Sequence, residues 1–236
     1  MHKQAMPHRR SLEGLLAVND PAWPGVQSWI EAAGVPVDVL PADETQRNQA
    51  LLDTQVTIGS PMGAIVYNTG GLLIDKGWLR LLGSGHPKLP RSLPGWNQGR
   101  SLTAGGQSLG FLLIADDVVG GFYALNGGAF GANSGEVFYF APDTLRWEPM
   151  NGMGYSQFLV WSFSRNLIQF YEPMRWEGWE SEVSRLNGDQ AFSIYPPLWS
   201  AEGKNIARSS RKPCSVAEIF ALHVLEFPKQ LQSRLE

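Results

Sequence analysis

Phe111-Leu-Leu-Ile-Ala115, Gly121-Phe-Tyr-Ala-Leu125 and Glu136-Val-Phe-Tyr-Phe140 decide the fold class. Each run is short and rich in the apolar and aromatic residues that suit a pleated, half-buried surface. Turn residues separate the runs: Asp116-Asp117 between the first two, Asn126-Gly-Gly128 before the third. This spacing predicts an antiparallel meander. Working backwards, Met62 to Tyr67 and Leu72 to Ile74 are apolar runs joined by Asn68-Thr-Gly-Gly71, which reads as a β-hairpin. Val35 to Leu40 is a short β-like segment ended by Pro41. Working forwards, Asp143 to Trp147 reads as a short edge strand, and Phe192 to Tyr195 as a strand halted by Pro196.

Helical patterns occupy the two ends. Ser11 caps a short apolar turn. Asp20-Pro21 opens a helix whose stripe of Trp23, Val26 and Ile30 stops at Gly34. Ala42 to Asp53, Tyr155 to Phe163 and Arg175 to Leu186 also read as helices. A last one starts at Ser215 and stops at Pro228. Between Gly83 and Gly110 there is no periodicity and much glycine and proline, which predicts a long loop; loops of that length in a compact domain are usually functional or mobile, or else conceal an unread element. The expected class is α+β, with residues 62–67, 72–74, 111–115, 121–125 and 136–140 in one largely antiparallel sheet flanked by helices.

The 236 residues are 43% hydrophobic and 17% charged, with nine tryptophans, a composition that excludes a disordered chain. One domain over 11–236 is expected, preceded by a flexible basic leader at 1–10. A net charge of −3 gives no overall attraction to nucleic acid or anionic membrane. A single cysteine, Cys214, forms no internal disulfide, which fits a cytoplasmic location. No run of about twenty apolar residues is present, so no membrane span is expected. Neither a dinucleotide fingerprint nor a zinc ligand set appears, and no cofactor or metal site is assigned.

Gly106-Gln-Ser108-Leu-Gly110 matches the nucleophile-elbow pattern, which makes a small hydrolase using Ser108 the alternative function. The elbow needs a strand before the serine and a helix after it, and the flanking residues offer neither. Its base would have to be His86 or His223. Asp116 and Asp117 are adjacent, so on a strand they point to opposite faces and do not act as a catalytic pair; a turn role is favoured. One feature exceeds background: from Lys76 to Ala115 there are five basic residues and no acidic one. The candidate binding set drawn from it is Trp78, Arg80, His86, Arg91, Trp96 and Arg100, since arginine and tryptophan dominate interface hot spots. These residues are expected on an exposed face holding an acidic or polar partner, with another protein favoured over nucleic acid. The structural alternative is that Trp78 and its leucine neighbours are core.

Several stretches resemble a bacterial family of domains of unknown function: Asp20-Pro-Ala-Trp-Pro24, Ser60-Pro-Met-Gly-Ala-Ile-Val-Tyr67, the Gly-Ser-Gly-His-Pro-Lys-Leu-Pro-Arg-Ser-Leu-Pro run from Gly83, and Tyr139-Phe-Ala-Pro-Asp-Thr-Leu-Arg-Trp-Glu148. The resemblance covers about 11–222. More distantly, the series from Asp117 to Leu159 is similar to the SUKH superfamily, many of whose bacterial members are immunity proteins that bind toxins. That likeness implies a curved sheet flanked by helices and a non-catalytic, immunity-type binding role, with no active-site residues to carry over.

Overall fold

A computed structural model describes residues 9–103, 107–131 and 133–226. Strands β1 (Val37–Pro41), β2 (Thr69–Ile74), β3 (Leu79–Leu82), β4 (Phe111–Asp117), β5 (Phe122–Asn126), β6 (Glu136–Ala141) and β7 (Arg146–Gly154) form a seven-stranded antiparallel sheet in sequential order. β8 (Gln190–Tyr195) and β9 (Ser210–Ser215) pair as a separate two-stranded ribbon. The helices are α1 (Leu12–Leu16), α2 (Trp23–Glu31), α3 (Glu44–Thr54), α4 (Pro61–Asn68), α5 (Leu93–Asn97), α6 (Tyr155–Ser162), α7 (Asn166–Tyr171), α8 (Trp179–Val183) and α9 (Val216–Phe220). The expected α+β class and the meander are both present.

The hairpin expected at 62–74 is not formed. Met62 to Tyr67 lie in α4, and the Asn68–Gly71 turn is the α4 exit and the first residues of β2. The run is buried on all sides, so no alternation distinguishes strand from helix. The start signal decides: Pro61 occupies the first turn, and Ser60 Oγ accepts a hydrogen bond from Gly63 N at 3.1 Å. Gly63 lies so close to a neighbouring segment that an added Cβ would fall on the Thr57 carbonyl. The true partner of β2 is β3, through a turn with positive φ at Lys76 (60°) and Gly77 (85°), the turn geometry that matches the twist of a hairpin.

The long loop expected at 83–110 contains α5. From it Asn97 substitutes for a missing strand, its Nδ2 donating to Leu113 O and its Oδ1 accepting from Leu113 N, both at 2.8 Å. The helix expected over 175–186 is confined to α8, and the edge strand expected at 143–147 becomes the longer β7. The outermost strands carry Pro41 and Pro149, which remove donors from the exposed edges. Of the expected leader only Arg9 and Arg10 fall within the described residues; Gly106 and Pro228 fall outside them.

Alternation along the strands builds two faces. On one, Tyr123 and Tyr139 of β5 and β6 meet Phe158, Phe170 and Tyr171 of α6 and α7. On the other, Phe122 and Phe140 pack with each other, and Phe220 of α9 meets the Phe122 ring edge-on at 5.1 Å. Asp116 and Asp117 close β4 and, being neighbours, are delivered one to each face.

Candidate functional site

Arg80 and Asp116 are cross-strand partners in the β3–β4 register and form an ion pair; the side chains are 2% and 1% exposed. The same guanidinium donates to Gln190 O of β8 and to Asp117 O. Arg91 reaches the other Asp116 oxygen through Nη1, donates from Nη2 to Gly188 O at 2.7 Å, and sets Nε 3.0 Å from Asp189 Oδ1. Burial pulls the Arg80 pKa down, and the Asp116 carboxylate opposes that shift. Two cations and two acids therefore tie the main sheet to the base of the ribbon, where a buried charge needs a partner to be tolerated at all.

Arg91 also lies over the Trp96 ring at 4.6 Å, and Arg100 covers the same ring at 3.8 Å while donating to Trp96 O. Trp78 belongs elsewhere, in an aromatic cluster with Tyr171, Trp176 and Trp179 at 5.1–5.7 Å. His86 sits in a tight turn, its Nδ1 accepting from Lys88 N. The structure thus brings Arg80, Arg91, Trp96 and Arg100 together and leaves Trp78 and His86 apart. The exposed face expected from these six is not formed, because Trp78, Arg80, Arg91 and Trp96 are buried. The acids missing from 76–115 are supplied by the residues just after it and by Asp189.

On the opposite face, Asp117 Oδ2 accepts from Tyr139 and Tyr171, both at 2.8 Å, and Oδ1 accepts from Val119 N and Gly121 N. An added Cβ at Gly121 would collide with this carboxylate and with the Tyr139 hydroxyl. Burial raises the Asp117 pKa against those four hydrogen bonds, and burial beside that carboxylate raises the three tyrosines Tyr123, Tyr139 and Tyr171. The two aspartates hold two separate networks. The turn role expected of the pair is met by Asp117 alone.

Solvent reaches this region at a cleft of about 450 Å³ beside Arg80. Lys76 and Lys88 contribute to it from two loops, with Leu73, Pro87, Val183 and Leu186 supplying apolar walls. Both lysines keep only exposed partners: Lys76 with Glu180, at 47% and 53% side-chain exposure, and Lys88 with Asp38 at 3.8 Å, at 66% and 57%. Three cations of the acid-free run, Lys76, Arg80 and Lys88, thus line one cleft, although the lysines were not among the six candidates. Among the described residues no group of His, Cys, Asp and Glu is arranged to hold a metal ion. Ser108 Oγ accepts from Gly110 N, and the chain continues directly into β4, where an elbow would place a helix.

No helix among the described residues is long and apolar enough to cross a membrane. The chain is 45% identical over 215 residues to "Putative uncharacterized protein YbfG" of Escherichia coli (strain K12), covering 90% of this chain and 95% of that protein. It is 40% identical over 189 residues to an "Uncharacterized protein" of Haemophilus influenzae (strain ATCC 51907 / DSM 11121 / KW20 / Rd), covering 80% of this chain and 82% of the relative. No solved structure matches it significantly. These relatives bring in no SUKH assignment. The model of the family described as "Protein of unknown function DUF2625" matches residues 12–219, close to the span read from the quoted stretches, and the chain belongs to that family.

Proposed function

We propose that the chain is a non-catalytic, cytoplasmic binding protein of the immunity type that holds an acidic segment of a partner protein in the cleft beside Arg80. The observation that supports this reading is the pair of rim lysines over apolar walls. Exposed ion pairs such as Lys76–Glu180 and Lys88–Asp38 are worth about 0–1 kcal/mol, so a partner's carboxylates exchange for them at little cost. Leu73, Pro87, Val183 and Leu186 accept an apolar side chain beside the acid, the mixture of central apolar and peripheral charged contacts found in specific interfaces. Arg91 acts behind this surface, tying Gly188 at its base to Asp116 of the sheet, and Trp96 packs on Arg91. A hydrolase centred on Ser108 is favoured by none of these contacts.

The test is capture of partners from the native host with Lys76→Glu/Lys88→Glu against wild type. The expected result is a variant that melts normally and loses its partners, with wild-type capture weakening as salt rises. Unchanged recovery by the charge-reversed protein would defeat the reading, and labelling of Ser108 by a fluorophosphonate would replace it.

A further inference from the structure

Two hollows of about 390 and 490 Å³ open on the surface where the end of α2 meets α6. They share Trp29, Val160 and Ser164, so they adjoin along α6. Ala33 and Phe163 add apolar wall to the first, Met153 and Trp161 to the second, and neither lining contains an acid. Val160, in the shared wall, is 47% exposed. The junction is built locally: beyond α2 the chain passes Gly34, whose N donates to Phe163 O at 2.8 Å. An added Cβ at Gly34 would stand 3.2 Å from Arg165 Cγ, so the glycine leaves room for the arginine stem beside it. Arg165 is the one charged residue in either lining, and it is exposed and forms no ion pair among the described residues. Ser164 Oγ, by contrast, already donates to Trp161 O and accepts from Asn166 N.

We infer that the adjoining hollows are a binding site for a small amphipathic carboxylate, its aliphatic chain against Trp29 and Val160 and its acid on Arg165. Size selects a small molecule: clefts of roughly 300–1,000 Å³ with mostly apolar walls and few polar groups are those that hold small ligands. Charge selects the acid. A guanidinium with no ion partner takes a carboxylate through two parallel hydrogen bonds and gives up no existing pair, and no acid in the walls opposes it. An uncharged chain would use the walls and leave Arg165 idle, and a cationic chain would meet it as a like charge. The site shares no lining residue with the cleft beside Arg80, so it goes beyond the protein-binding role and does not depend on it.

The experiment is an amide-shift titration of the labelled full chain with octanoate, hexanoate, octylamine and octanol, each kept below micelle-forming concentrations. Octanoate is expected to move the amides of 29–34 and 153–166 most. It should bind about tenfold tighter than hexanoate, equivalent to about 1.4 kcal/mol for two methylenes, and tighter than octylamine. Arg165→Gln is expected to weaken octanoate about tenfold and leave octanol unchanged; the side chain is exposed, and an unchanged melting temperature confirms the fold. No saturable octanoate shift at these amides, octylamine binding as tightly as octanoate, or equal octanoate affinity in Arg165→Gln would each overturn the assignment. A dimer that Val160→Asp dissociates would overturn it too, since a second copy would then fill the hollows.

Discussion

The segments 76–100 and 203–213 look alike on paper, both basic, both free of acids, both next to aromatic residues, yet their cations are treated differently by the fold. In the first, Arg80 and Arg91 are buried against Asp116, and Trp96 is covered by Arg91 and Arg100. In the second, one cation is turned inward and three remain in solvent without ion partners among the described residues. The difference lies in what faces each run. A central strand presents its aspartate directly to β3, whereas Lys212 of the ribbon faces only Ser193 across the β8–β9 register. A run of one charge sign therefore stays in solvent only where no neighbouring strand supplies the counter-charge.

The largest effect that would break this contrast is expected at Asp116. Asp116→Asn leaves two buried guanidinium groups facing a neutral amide and should cost about 3–5 kcal/mol in urea unfolding; a loss below 1 kcal/mol would mean the cluster is solvated. Tyr171→Phe takes one donor from the Asp117 carboxylate without uncovering a cation, so it should cost less, about 1–3 kcal/mol. His223 follows the ribbon and meets Trp199 edge-on, and burial pulls its pKa down to about 4 from 6.5. The unfolded chain binds the proton first, so stability present above pH 6.5 is lost as pH falls toward 4, by an amount of the order of 1 kcal/mol after allowance for partial exposure. Unfolding measured at pH 7 and pH 5 should show this loss in wild type and a smaller one in His223→Gln. Lys204→Ala and Lys212→Ala should shift stability by no more than about 0.5 kcal/mol.

Most of the sheet was legible because β4, β5 and β6 are bounded by turn residues, and the caps at Ser11 and Ser215 were legible for the same local reason. α4 was misread because its apolar residues are buried all round, and the Ser60-Pro61 start was the signal that distinguished it. β3 was missed because Leu79 to Leu82 contain a buried arginine, which no strand pattern anticipates without its partner. The opposite orientations of Asp116 and Asp117 followed from strand geometry alone. Their partners did not, since pairing Arg80 with Asp116 requires the β3–β4 register.

A double-mutant cycle on stability between Arg91 and Asp116 tests the central claim, that the buried arginines Arg80 and Arg91 hold the fold together from inside. Arg91→Ala, Asp116→Ala and the double variant are compared by urea denaturation. The account predicts strong non-additivity, with a coupling toward the upper end of about 0.5–3 kcal/mol. Costs that add to within about 0.3–0.5 kcal/mol would show that the two residues act independently and would contradict it.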